Sequence, residues 1–185
     1  MSRCLMSLLI IASLLAGVAA RPAQGQSEGQ ILRPEQESAS TIVQTDRVAR
    51  LTLALPVEPE AAFDAWTNAN QLVEWFAHWA EMTVAPDGEY RIGWDGVGGV
   101  WQGRYLEIDR PERLVFTWLP PVEVFPAGAY ETTVTLTFEE AEGGTTMVLE
   151  QTGFRGSAEL EAQLQAWRGY LFALRAFLLQ PTLEQ

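Results

Sequence analysis

The sequence predicts an α+β fold: a curved antiparallel sheet of six to seven strands, two short helices after the first strand, and one long C-terminal helix that the sheet wraps. Three observations predict it. From Asp46 to about residue 152, short runs alternate apolar and polar residues and are separated by Pro- and Gly-rich turns, as in antiparallel strands with one buried face. Further on, Leu160, Leu164, Trp167, Leu171, Leu174 and Leu178 recur at spacings of four and three, one apolar stripe about five helical turns long. A sheet of this kind cannot bury its apolar face alone, and that stripe is a surface long enough to cover it.

The first strand is "RVARLTLAL", with Val48, Leu51, Leu53 and Leu55 as its apolar members, and Pro56 and Pro59 end it. Pro59 suits a first helical turn and Glu60 the positive end of the helix dipole, so "EPEAAFDAWTN" is a short helix with Phe63 and Trp66 on one face. Asn68 and Asn70 break it. A second short helix then carries Leu72, Trp75, Phe76 and Trp79 at spacings of three, four and seven.

Six strands follow. "EMTVA" ends at Pro86-Asp87-Gly88, where proline presets φ and glycine accepts a positive one. "EYRIGWD" and "VWQGRYLEID" are separated by a glycine-rich stretch, and Arg110-Pro111-Glu112-Arg113 makes the next turn. "LVFTWL" places Leu114, Phe116 and Trp118 on one face. After an irregular loop marked by Pro120, Pro121 and Pro126, "YETTVTLTFEE" sets Val134, Leu136 and Phe138 against three threonines. Gly143-Gly144 closes a hairpin to "TTMVLEQT". Ser157 is the expected N-cap of the last helix, with Glu159 and Glu161 in its first turn and Pro181 past its end.

The rest of the chain bears on compartment and partners. Met1-Ser2-Arg3, the apolar run from Leu5 to Ala20 and the small residues Val18-Ala19-Ala20 read as a signal peptide over residues 1–20, cleaved near Ala20 for export to the periplasm or outside; left uncleaved, it is an anchor. The apolar run is short for a bilayer span. Cleavage removes Cys4, the single cysteine, and with it any disulfide, thiolate nucleophile or cysteine-based metal site. Residues 21–45, rich in Gln, Ser, Glu and Pro, read as a flexible linker; the domain is 46–180, and 181–185 is a tail. The formal net charge is -12, and all 12 basic residues are arginines. Such acidity argues against nucleic acid and against an anionic membrane surface as partners. Oligomeric state is not legible.

The element order resembles that of the SRPBCC superfamily, the START/Bet v 1-like helix-grip proteins, and within it domains similar to the C-terminal domain of the activator of heat-shock-protein-90 ATPase. The stretches that carry the resemblance are "LPVEPEAAFDAWTNANQLVEWF", "GRYLEIDRPERLVFTW", "TVTLTFEEAEGGTTMVLEQTGF" and "AWRGYLFALRAFL". It implies a fold and a cavity between sheet and helix, and no particular reaction. Two family features differ: Gln163 stands where members often have His before a Gly-Trp pair, here Ala166-Trp167, and "EQTGF" replaces the usual Thr-His before Gly-Phe.

The chain's one histidine, His78, has two readings. It is a base or ligand partner at a pocket mouth, oriented by Glu74 or Glu81; or it packs beside Trp75 and Trp79 and bonds a backbone carbonyl, which is the favoured reading. The aromatic residues likewise serve either as core or as the wall of a cavity for an apolar guest. The wall candidates are Trp75, His78 and Trp79; Tyr90, Trp94, Trp101 and Tyr105; Phe116, Trp118 and Tyr130; and Trp167 and Leu171 from the last helix. Arg91, Arg104 and Glu150 lie inside strands and are expected on the solvent face, with an inward Arg104–Glu150 pair as the alternative. No phosphate loop, catalytic triad, metal motif or cofactor motif is present. The expected function is binding of a small hydrophobic molecule without catalysis. The alternatives are an enzyme using His78 or Glu150 in the same cavity, and an interaction module with no cavity.

Overall fold

The computed structural model describes residues 47–124 and 129–180. The leader, the linker, the tail and the loop around Pro126 lie outside these. The element order is β1 (Ala49–Leu55), α1 (Pro59–Thr67), α2 (Ala69–Trp75), β2 (Trp79–Met82), β3 (Glu89–Gly93), β4 (Trp101–Asp109), β5 (Arg113–Trp118), β6 (Thr132–Ala141), β7 (Gly144–Thr152) and α3 (Ser157–Leu178). The seven strands form one antiparallel sheet in the order β1-β7-β6-β5-β4-β3-β2. The last strand pairs with the first, so the chain meets itself beside the edge from which it set out. The sheet curves, and α3 is buried against its inner face.

β6 and β7 obey the alternation that predicted them, whereas β5 is buried on both faces from Leu114 to Trp118 and β4 shifts register between Tyr105 and Glu107. Val134, Leu136 and Phe138 of β6 and Met147 and Leu149 of β7 are fully or almost fully buried. On α3 the stripe holds: Leu164, Trp167, Leu171 and Leu174 are buried, and Trp167 and Leu174 are wholly so. The Glu142-Gly143 hairpin loop needs left-handed backbone at Gly143 (φ 81°).

Several local readings change. In β1 the buried phase is Ala49, Leu51, Leu53 and Leu55, so Val48 falls outside the strand's inner face. The positive φ of the Pro86-Asp87-Gly88 turn belongs to Asp87 (59°). Gly88 is needed there for a different reason: a Cβ would lie 2.0 Å from the Thr83 carbonyl oxygen. The N-cap of α3 is Gly156, one residue before Ser157; the Glu159 carboxylate accepts from the Gly156 N–H at 3.0 Å and occupies one orphan donor of the helix start. Asn68 does two jobs. Its backbone N–H closes α1 on the Asp64 carbonyl, and its side-chain oxygen accepts from the N–H groups of Asn70 and Gln71, which starts α2. Asn70 therefore lies inside α2 and does not break the chain.

The largest change concerns Trp79. It stands at the start of β2, beyond the end of α2 at Trp75. Spacing alone fits a helix running to residue 79, but the His78 N–H donates to the Gly93 carbonyl (2.9 Å) and residues 79–82 pair with β3. Edge pairing with β3 overrides the helical period.

Gly103 marks a tight point of the sheet. It lies opposite Tyr90, and a Cβ there would come 2.0 Å from the Thr117 carbonyl oxygen and 2.7 Å from the Tyr90 ring. We expect Gly103→Ala to destabilise the domain by about 1–3 kcal/mol through overpacking against backbone that cannot yield. A fall in urea midpoint with an unchanged slope checks this.

Candidate functional site

The space between sheet and helices holds a dense aromatic cluster. Phe76 stands at its middle. It stacks on Trp167 (5.8 Å between centroids, 11° between planes) and meets Tyr170 edge-on at 4.6 Å and Trp94 edge-on at 5.5 Å. Trp66 meets Trp75 edge-on at 4.8 Å, and Trp118 lies 5.4 Å from Trp167. These are the offset and edge-to-face geometries that the ring quadrupole favours.

The cluster is tied to its surroundings by indole N–H groups. Trp75 donates to the Ala65 carbonyl (3.0 Å), Trp94 to the Phe76 carbonyl (2.7 Å) and Trp167 to the Gln151 side-chain oxygen (2.6 Å). Gln151 is 1% exposed and passes the chain on, donating to Thr132 Oγ1 (2.8 Å), which donates to the Trp118 carbonyl. A polar relay thus crosses the apolar interior with its members paired.

Against this cluster lies a small cavity, about 30 Å³, lined by Trp66, Leu72, Phe76, Met82, Tyr90, Ile92, Tyr105, Leu114, Phe116 and Trp118. That is room for one or two waters. Its walls are apolar. The Tyr90 hydroxyl is turned to the Thr117 carbonyl (2.6 Å), and burial holds this phenol neutral, with the nearby Tyr105 and Glu131 adding to the effect. Burial likewise raises the Tyr105 phenol, and it pushes Tyr170 up to about 12.

Of the residues expected on the wall, Tyr90, Tyr105, Phe116 and Trp118 line the cavity. Trp75, Trp94, Trp101, Trp167 and Leu171 are buried in the surrounding core and do not reach it. Trp79 shares the sheet face of Glu81 and Arg91, with its ring over Gly93, so it points away from the interior. The Tyr130 hydroxyl donates to Glu159 and accepts from the Arg155 N–H, and the Arg155 guanidinium lies 4.1 Å from its ring centroid, near the start of α3. Burial and the Glu159 bond raise its phenol.

His78 is also outside. Its side chain is 42% exposed, and Nδ1 accepts from the Asp95 N–H at 2.9 Å. The partner is an amide and not the expected carbonyl, and neither Glu74 nor Glu81 orients the ring, because residue 78 is not helical. With the Nδ1 lone pair so used, the Asp95 carboxylate at 3.4 Å receives no proton from that nitrogen. Glu150 lies on the outer face and pairs with Arg50 across β1 and β7 (2.9 Å), so the Arg104–Glu150 pair does not form. Arg91 pairs with Glu81 at the surface, and Arg104 is exposed, as the solvent-face reading expected. Neither His78 nor Glu150 lines the cavity.

Trp66, Leu72, Met82, Ile92 and the middle residue Phe76 were not among the expected wall residues. Leu114 was read only as a strand's buried face. Met82 and Ile92 were legible as the inner phase of their strands once β2 began at Trp79. Trp66 carried a signal as one face of a short helix and as one of the many aromatics open to either a core or a wall reading.

A search of curated proteins returned no significant match. Solved structures share the fold. A Mesorhizobium loti protein superposes with a TM-score of 0.64 at 23% identity, over 71% of this chain and 96% of its own. A Chromobacterium violaceum protein gives 0.62 at 21% identity, over 73% and 99%. CalU16 of Micromonospora echinospora gives 0.57 at 20% identity, over 71% and 74%. At such identities the likeness establishes the helix-grip fold alone. The sequence model of one family matches residues 56–178, from the end of β1 to the end of α3, which spans the helices, the aromatic cluster and the cavity. On that match the chain belongs to the family of activator of Hsp90 ATPase homolog 1-like proteins, within the SRPBCC superfamily.

Proposed function

We propose that the domain binds a small hydrophobic molecule between the inner face of the sheet and its helices, without catalysing a reaction. What supports this is the cavity: a space with apolar walls, in a fold compatible with ligand binding. At about 30 Å³ it is a seed for a guest and not a finished berth. A guest larger than water requires side chains of the wall to move aside. Met82 is placed for it, partly exposed at the end of a four-residue edge strand. Methionine's unbranched side chain adapts to irregular space.

We further propose export, on the leader-like residues 1–20. In that compartment the heat-shock-protein-90 partner of the family name has no place in this reading. One experiment addresses both points. The protein is expressed with its own N-terminus and analysed by native mass spectrometry. The expected result is a chain beginning at Arg21 that carries an apolar small molecule. Removing that molecule and restoring it at a hundredfold excess over Kd should raise stability by about 2.7 kcal/mol, on the order of 8 °C in Tm. A bare chain whose Tm moves with no apolar compound would count against the reading.

The size of the cavity favours one other reading, in which the interior is closed and the domain acts through its outer surface. Nothing favours the enzyme reading in the same way, since neither His78 nor Glu150 lines the cavity.

A further inference from the structure

Trp66 is 4% exposed, and its indole N–H is, among the described residues, the only buried side-chain nitrogen or oxygen without a hydrogen-bond partner. The contrast with its neighbours is sharp. Trp75, Trp94 and Trp167 belong to the same cluster, and each has its N–H paired to an oxygen at 3.0 Å or less. The rings around Trp66 are Trp75, Phe76, Phe116 and Trp167, with centroids between 4.8 and 6.4 Å, and a ring carries no oxygen acceptor in such a position. A buried donor left unpaired destabilises a fold far more than an apolar ring of similar shape in its place. Phenylalanine at position 66 would serve a purely structural core without that penalty. Trp66 is also part of the cavity wall.

Resting on the ligand reading above, we propose that Trp66 is the polar anchor of the cavity: its Nε1–H donates to the acceptor oxygen of an uncharged, otherwise apolar guest. The class is a ketone, aldehyde, lactone or quinone. A carboxylate is excluded by the walls, because no lining residue carries a positive charge and an unpaired anion is very costly in apolar surroundings. A pure hydrocarbon is a poor guest for the opposite reason, since it leaves the donor as it is. Tyr90 does not compete for the acceptor, because its hydroxyl is committed to Thr117.

The test uses the full chain, nitrogen-labelled at its tryptophan indoles, and two probes of nearly equal shape. Indane and indanone differ by one carbonyl oxygen. Indanone should bind about fivefold to tenfold more tightly, the worth of one hydrogen bond. With it, one indole N–H resonance, identified by its loss in Trp66→Phe, should move downfield; indane should leave it in place. Trp66→Phe should bind both probes alike. Because that substitution also alters ring packing, the affinity ratio and the shift on the unaltered chain carry the result even where the variant folds poorly. Equal affinities with an unmoved resonance overturn the anchor and leave the ligand reading standing. So does an upfield resonance that neither probe disturbs, which is the mark of donation to the Trp75 ring face. If neither these probes nor the smaller pair cyclopentanone and methylenecyclopentane bind, the ligand reading falls and the anchor falls with it.

Discussion

Trp167→Ala should lower the stability of the domain by about 3–5 kcal/mol, the range for deleting a large aromatic from a closed core. Trp167 is fully buried, stacks on Phe76, touches Trp66, Trp118 and Tyr170, and is held by the Gln151 oxygen. The substitution removes the knob by which α3 grips the sheet. Total stabilities of domains this size are commonly about 5–15 kcal/mol, so the variant should be only marginally folded. Urea unfolding followed by far-ultraviolet circular dichroism measures it. A loss below about 1 kcal/mol would mean that α3 is not held where the structure has it.

Gln151→Leu should cost about 1–3 kcal/mol, although it replaces a polar core residue with an apolar one of similar size. The reason is what it leaves behind. Trp167 Nε1–H loses its acceptor and Thr132 loses a donor, and both are buried. The diagnostic is a cycle. In a Trp167→Phe background, where the indole donor is already gone, Gln151→Leu should cost at least about 0.5 kcal/mol less. Additive losses would show that the relay is incidental, and a stabilised Gln151→Leu would show that the core prefers to be apolar throughout.

The two variants probe different levels of legibility. Trp167 was evident from the stripe: spacings of four and three from Leu160 to Leu178 have one physical meaning, a helix with one face against something apolar. Gln151 was not evident. It sits in "TTMVLEQT", one polar residue among several, and its burial depends on pairing with Val134 and Ala49 on the neighbouring strands and on an indole arriving from α3. Sixteen positions separate donor and acceptor along the chain, and no local pattern announces a bond of that kind.

The candidate site divides in the same way. Tyr90, Tyr105, Phe116 and Trp118 reach the cavity because strand alternation, visible in the sequence, sends them inward. Trp79 was misplaced because an aromatic spaced three or four from its neighbours fits a helix, while a nearby strand edge with free carbonyls offered a better use of the backbone. His78 followed it to the surface.

By itself, the sequence determined the class of fold, the order of elements, the inner face of most strands and the helix that fills the grip, because each rests on periodicity or turn chemistry within a dozen residues. Only the tertiary structure decided how much space remains inside, which indole lacks a partner and where the histidine points. Those depend on how rings from α1, α2, β3, β5 and α3 interlock to within an ångström, and that is a property of packing between distant segments, which no single stretch of chain contains.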